Sequence, residues 1–218
     1  MSLFDLFTGA PAEQAPADGR RLGIVRAEVT DNVDLTHQGR VKLTFPTIPD
    51  IEPWAAVCAP FAGDGYGLWC IPQVGDIVIV AFENGDLNWP VVIGSVWDLH
   101  NSPPVDLPSD ATDKRVLKTP KGHELVFDDL TMEITLTHRS GHKIILSQDS
   151  VTIELAQSAA SLKLAQPGTV TLKAGTSAEV SSKKTTVKGD TTLDLSGAAA
   201  SLQADATCQI KGNLITIN

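Results

Sequence analysis

Three histidines, His123, His138 and His142, are the residues whose type and clustering could most readily do chemistry, and that chemistry would be metal binding. Imidazole is the commonest protein ligand for transition metals. Two of the three follow glycine, as Gly122-His123 and Gly141-His142, a pairing that equally marks turns leading into strands. The carboxylates Asp128-Asp129 and Asp149, next to Ser150, would suit acid–base work. They follow apolar runs where turns are due, and aspartate suits turns. The chain has no Ser/His/Asp arrangement, no GxxxxGK phosphate cradle and no HExxH. Gly63, Gly65 and Gly67 precede no helical pattern, so they read as a flexible loop, not a phosphate nest. Cys58, Cys70 and Cys208 lack metal-ligand spacing, and an odd count is no disulfide framework; they read as buried free thiols. The expectation is therefore a non-enzyme with no catalytic residue, no metal and no cofactor.

Charge narrows the partners. The net charge is -9, and the densest basic cluster, Lys183-Lys184 with Lys188, is dispersed among Thr and Ser. Phosphate binding draws on clustered Lys and Arg, so a nucleic-acid partner is not expected. The longest apolar run, Ile77–Phe82, is far too short to span a bilayer. Met1 to Phe7 is short and acidic, unlike a signal peptide. The chain is thus expected to be made in the cytoplasm without such a signal.

The elements that position these residues change along the chain. Of 11 aromatic residues, 10 precede residue 113 and only Phe127 follows; of 13 prolines, only Pro120 and Pro167 lie beyond that point. An aromatic-rich half can pack its own core. The other half must build one from small side chains or share it with another chain. Residues 1–20 are Ala-, Pro- and Gly-rich around a short apolar SLFDLF, which reads as a flexible segment with a possible docking tag. Residues 21–98 hold five apolar or alternating runs punctuated by Gly and Pro, and ENGD at 83–86 signals a tight hairpin. Five short strands suit a small closed barrel of the oligonucleotide/oligosaccharide-binding (OB) type.

Residues 99–118 form a Pro-rich linker or neck. From 119 to 149 two related phrases, TPKGHELVFDD and RSGHKIILSQD, make an internal repeat. From 150 to 218 a shorter period takes over. Leu155, Leu164, Leu172, Val180, Val187, Leu195, Leu202, Ile210 and Ile217 recur at steps averaging about 7.75 residues, with local alternation. Such a pattern means short strands joined by tight bends. Each strand buries too little to offset its ordering cost of roughly 1–2 kcal/mol per residue, so the repeats must stack. A single-chain β-helix would need three strands per rung. A triple-stranded prism would take one strand per level from each of three chains, and the small, aromatic-free core suits it better.

The segments GRVKLTFP (39–46), WAAVCAPFAGDGYG (54–67), IPQVGDIVIVAFENGD (71–86), PVVIGSVW (90–97) and NSPP (101–104), followed by the Gly-His phrases and the octad-like tract, carry a family likeness. They resemble the baseplate spike proteins of contractile phage tails (baseplate assembly protein V) and the valine–glycine-repeat protein G (VgrG) of type VI secretion. The resemblance implies an all-β homotrimer, with an OB barrel above an intertwined triple-stranded β-helix that serves as a membrane-puncturing needle. It also implies a hub or baseplate protein at the barrel end, a proline-alanine-alanine-arginine (PAAR) repeat protein at the tip, and transient contact with a target membrane within a phage tail-like particle. Tyr66 and Trp69 are then expected as trimer or hub contacts. The nine periodic aliphatics become the needle core, and Leu214, Ile215, Ile217 and Asn218 a platform for the tip protein. At roughly 4.8 Å per strand level, nine repeats would reach about 40 Å. Larger relatives fuse a hub before the barrel, some insert a lysozyme, and some end in an iron-binding His-x-His; none of these fits this sequence. The competing reading is a carbohydrate-active single-chain β-helix with the barrel as its binding module. It would need an aromatic sugar platform and an ionisable cluster in the second half.

Overall fold

A computed structural model describes residues 23–216, without the side chain of Ser158. The described residues contain fourteen β-strands and two single 3₁₀ turns. The docking tag expected within 1–20, together with Ile217 and Asn218, lies outside the described residues. Two compact units divide between Arg139 and Ser140.

In the first unit, β1 (Val25–Asp31), β2 (Val41–Thr44), β3 (Trp54–Val57), β6 (Ile77–Phe82) and β7 (Pro90–Ser95) close a barrel in the order β1-β2-β3-β7-β6. Closure leaves these strands no free edge. All barrel pairings are antiparallel except β3 with β7, where Ala56 lies beside Val91 and Val57 beside Val92. This is the OB-type barrel that the five runs imply. Period-2 alternation builds its interior: Ala27 and Val29, Val41 and Leu43, Val78, Val80 and Phe82, with Val92, point inward and are buried. Phe45 and Phe82 meet with ring centroids 5.8 Å apart and close one side of the core. Register shifts between Val29 and Asp31 and between Ile79 and Val80 supply bends that closure needs.

Two short strands, β4 (Ala62–Gly63) and β5 (Tyr66–Gly67), pair as a hairpin within the long β3–β6 connection. The glycines read from sequence as a flexible loop thus build a tight reversal, with Gly65 at φ 75°. The ENGD turn also differs from expectation. Asn84 and Gly85 do adopt positive φ, 52° and 76°, but within a connection that runs from Phe82 to Pro90. Hydrogen bonds from the Glu83 N–H to the Trp89 carbonyl and from the Trp89 N–H to the Asp86 carbonyl, both 3.0 Å, hold that wider loop.

Beyond the barrel, β8 (Lys114–Lys118), β9 (Glu124–Asp128) and β10 (Glu133–Thr137) form an antiparallel meander in the first unit. Strand pairing therefore starts at Lys114, ahead of the Gly-His phrases. The second unit opens with a meander of β11 (Lys143–Leu146), β12 (Ser150–Glu154), β13 (Ala160–Ala165) and β14 (Thr169–Ala174). Its reversals lie at residues 147–149, at Ala156–Ser158 and at Gln166-Pro167-Gly168. Residues 150–174 therefore pair within the chain.

From Gly175 to Thr216 the chain forms neither helix nor strand, and none of it joins a ladder within the chain. Bends fall at Gly175-Thr176, Lys183, Asp190-Thr191, Ala198-Ala199, Asp205-Ala206 and Asn213, every seven or eight residues. Val180, Val187, Leu195, Leu202 and Ile210 each sit midway between two bends. A single-chain β-helix would pair each rung with the next inside the chain. That arrangement is not what these residues adopt.

Candidate functional site

The surfaces best suited to function are those where apolar side chains lack cover. Among the described residues, none beyond Val92 is buried, whereas the barrel holds a closed core. Val180, Leu195, Leu202 and Leu214 are 76–85% exposed, and Leu155, Leu164, Leu172, Val187, Ile210 and Ile215 are exposed too. A stripe of large aliphatics on backbone outside any ladder exposes apolar surface and leaves N–H and C=O groups open to pairing with other strands.

A second exposed apolar surface lies at one end of the barrel. Strand directions define the two ends. Val25 pairs with Val80 and Phe82 with Pro90, so the chain enters at the end that carries residues 45–53 and 83–89. Asp31 pairs with Lys42, and β3 runs parallel to β7. The loop 32–40, the hairpin β4–β5 and the exit toward β8 therefore share the opposite end. Tyr66 and Trp69, singled out from sequence, both lie there, 69% and 73% exposed. Phe61, Trp97 and Leu99 are exposed at the same end and were not legible as a group. Their only signal was isolated apolar residues in otherwise polar connections. Trp89 is exposed at the entry end.

The exit end is held rigid by charge and by close approach. Asp34 accepts hydrogen bonds from the Thr36 N–H (2.9 Å), the Thr36 hydroxyl (2.7 Å), and the N–H groups of Gln38 and Arg40 (both 3.2 Å). The Arg40 guanidinium also donates to it, at 3.2 Å from Nε and 3.3 Å from Nη2. Arg40 and then Thr36 hold the Asp34 carboxyl far below the usual carboxylate range. Arg40 itself lies 5.9 Å over the Trp54 ring. Tyr66 covers Gly63 and Trp69 covers Gly39, so both aromatic rings rest on positions without a side chain. The loop and the hairpin border an open cleft of about 630 Å³, into which Cys58 and Cys70 also face. Those thiols and Cys208 are exposed, not buried as expected. Cys58 and Cys70 flank the hairpin outside the barrel core, and Cys208 stands in the unpaired tract.

The ionisable candidates are turn-builders. The Thr131 and Leu130 N–H groups, each 3.0 Å from the Asp128 carboxylate, lower its pKa. It also faces Lys114 at 4.0 Å. A stabilised carboxylate of this kind is a poor proton donor. Lys114 is raised mainly by Asp110, 3.0 Å away. Asp98 is lowered by the Asn101 and His100 N–H groups where the chain leaves β7. Gly122 and Gly141 adopt φ of 87° and 91°, so each Gly-His phrase turns into a strand. His123 and His138 meet, with ring centroids 4.5 Å apart, while Nδ1 of His142 accepts the Ala156 N–H at 2.9 Å. Among the described residues, no three His, Cys, Asp or Glu side chains of one chain cluster as metal ligands. No helix among them is long and apolar enough to cross a membrane.

Residues 25–97 match the family described as the type VI secretion system/phage-baseplate injector OB domain. Residues 114–188 match the phage baseplate V C-terminal trimerisation domain. The two matches together cover more than half of the chain. The chain is 30% identical over 147 residues to the type VI secretion system spike protein VgrG2a of Pseudomonas aeruginosa, covering 61% of this chain and 17% of that protein. It is 31% identical over 129 residues to the spike protein VgrG3 of Vibrio cholerae, covering 56% and 13%. It is 32% identical over 129 residues to the actin cross-linking toxin VgrG1 of V. cholerae, covering 56% and 12%. The matched region thus spans under a fifth of the length of each of these relatives.

Proposed function

The chain belongs to the phage baseplate V and VgrG-like spike family, and on that premise we propose that it is the non-enzymatic central spike of a contractile injection machine. In this reading the protein caps the inner tube through a hub protein and drives a narrow needle into the target envelope when the sheath contracts. Function then comes from stiffness and shape, not from a reaction.

One observation carries the proposal. Residues 175–216 form stretches without helix or strand, with bends every seven or eight residues, an exposed aliphatic side chain at each midpoint and no ladder within the chain. Three copies winding about one another would satisfy both needs together. The aliphatics Leu155 to Ile210 would fill a shared interior, and the idle backbone groups would pair between chains. Intertwined strands cannot separate without breaking many ladder hydrogen bonds at once, which suits a part that transmits force.

The barrel ends divide the remaining partners. Tyr66, Trp69, Trp97 and Leu99 share the end at which the chain leaves the barrel for β8, and in this reading they serve as contacts between copies of the barrel. The hub would meet the opposite end, where the chain enters and Trp89 is exposed. Leu214 and Ile215, exposed near the end of the unpaired tract, would seat a PAAR-type tip protein. In this reading the barrel gives way to a linker that ends where β8 begins at Lys114, the meanders to Ala174 form the neck, and the needle lies beyond.

Multi-angle light scattering of the full chain at micromolar concentration tests the core of this reading. A mass of three chains that survives mild detergent is expected. A monomer would overturn it.

A further inference from the structure

We propose that Leu99 and Trp97 of one copy seat in the cleft between the β1–β2 loop and the β4–β5 hairpin of the next copy, so that the barrels lock in a ring of three. This pairing rests on the spike reading, which supplies the three chains, and assigns which barrel surfaces meet. Two features of the exit end are complementary in shape and alike in chemistry. One is the open cleft of about 630 Å³, bordered by Phe61, Tyr66, Leu68 and Trp69. The other is a knob. Leu99 is 98% exposed, and Trp97 near it is exposed as well. Neither is among the residues that border the cleft of its own chain.

The knob is built in advance. The Val96 N–H donates to the Ile77 carbonyl and the Asp98 N–H to the Asn101 carbonyl, both at 3.0 Å. The Asp98 carboxylate accepts the His100 N–H at 2.8 Å and the Asn101 N–H at 2.7 Å. These bonds close a bend over residues 98–101 that holds Leu99 out. A large aliphatic side chain on a fixed bend loses little freedom on docking. The cleft borders are fixed too, by Asp34 with Arg40 and by the rings of Tyr66 and Trp69 resting on glycines.

A second copy as the occupant follows from how the chain continues. Residues 114–188 match the trimerisation domain, and its first strand, β8, belongs to the same compact unit as the barrel. Copies joined there hold their barrels at high effective concentration, so a contact as small as one knob in one cleft is enough. Knob and cleft are different surfaces, so the contact is heterologous, and such contacts generate rings when the rotation closes. Joining at the trimerisation domain sets that rotation at one third of a turn.

Native thiols report the contact, since Cys58 and Cys70 border the cleft. The test uses the full-length chain carrying Cys208→Ser, which removes the remaining thiol. In that background Leu99→Cys is oxidised with diamide, which takes up the two protons and two electrons that each new disulfide releases. Non-reducing gels are expected to show covalent dimers and trimers, and peptide mass spectrometry to map the links from residue 99 to Cys58 or Cys70. Trp89→Cys, at the entry end, should give none. Alkylation is the second readout. Cys58 and Cys70 should react slowly in the parent, and Leu99→Asp should speed them at least about tenfold, the loss of a contact worth about 1.4 kcal/mol, with the trimer mass unchanged. Absence of links, links from residue 99 to itself or within one chain, or an alkylation rate that Leu99→Asp leaves unchanged overturns the knob in a protein that is still a trimer, and the spike reading then stands without it. A monomer by light scattering overturns both.

Discussion

The Trp69 ring lies on Gly39, in the space that a side chain at residue 39 would occupy: a Cβ built there would stand 2.5 Å from the ring. Gly39 also holds φ at 69°, a conformation that other residues adopt only with strain. The contact ties the segment after the β4–β5 hairpin to the loop between β1 and β2. Gly39→Ala should therefore displace Trp69 and cost about 1–3 kcal/mol. A lower melting temperature and a changed tryptophan emission would register it; an unchanged emission would mean that the ring does not rest there in solution.

The barrel interior supports a second prediction. Leu43 is fully buried among Val29, Val41, Val78 and Val80. Leu43→Ala removes volume from a closed barrel whose strands cannot collapse inward, so the loss should be about 2–5 kcal/mol. Denaturant unfolding measures it. Val151→Ala, at a position 37% exposed in the chain, should cost the isolated chain much less.

These two cases show why the barrel was legible and the rest only partly so. Alternation in Val41-Lys42-Leu43 and in Ile77–Phe82 reports directly which side chains face a core, because a strand has period 2. The parallel pairing of β3 with β7 joins residues far apart in sequence, and nothing local encodes it. The β4–β5 hairpin escaped notice because its strands are two residues long and half glycine. In the second unit the aliphatic period was visible and the bends keep it. The antiparallel folding of residues 150–174 was not visible, since its reversals rest on turn residues such as Pro167-Gly168 and not on the aliphatic spacing. His123 and His138 illustrate the same limit. Their types suggested metal chemistry, but only the β9–β10 register shows that these two meet and that His142 is engaged elsewhere.

Asp34 predicts a pH response with a definite sign. Its folded-state pKa is depressed, chiefly by Arg40, so its contribution is fully present above the unfolded aspartate value of about 3.9. That contribution fades as pH falls below this value toward the much lower folded one. The gap in melting temperature between the wild type and Asp34→Asn should hence be constant from pH 8 to about 5 and shrink below about 4. A gap that widens under acid would mean that the carboxylate is not held by Arg40.

The unpaired tract allows the sharpest test of a shared interior. Leu195 and Leu202 sit midway between successive bends, 84% and 76% exposed in the chain. If they remain at the surface, replacing both with aspartate is harmless, because surface substitutions rarely exceed about 0.5 kcal/mol. If three copies enclose them, the double substitution places six carboxylates in a narrow apolar interior. Each buried unpaired charge costs several kcal/mol even after relaxation. The double variant should then lose its detergent-resistant trimer on an unheated gel and by native mass spectrometry. Its barrel should still melt as the wild type does, since its core lies entirely within residues 27–92. Lys184→Asp, a single charge reversal on a residue exposed in the chain, serves as the control and should leave the trimer intact. Wild-type detergent resistance in the double variant would remove the aliphatic stripe from any shared interior, and with it the argument for three intertwined chains.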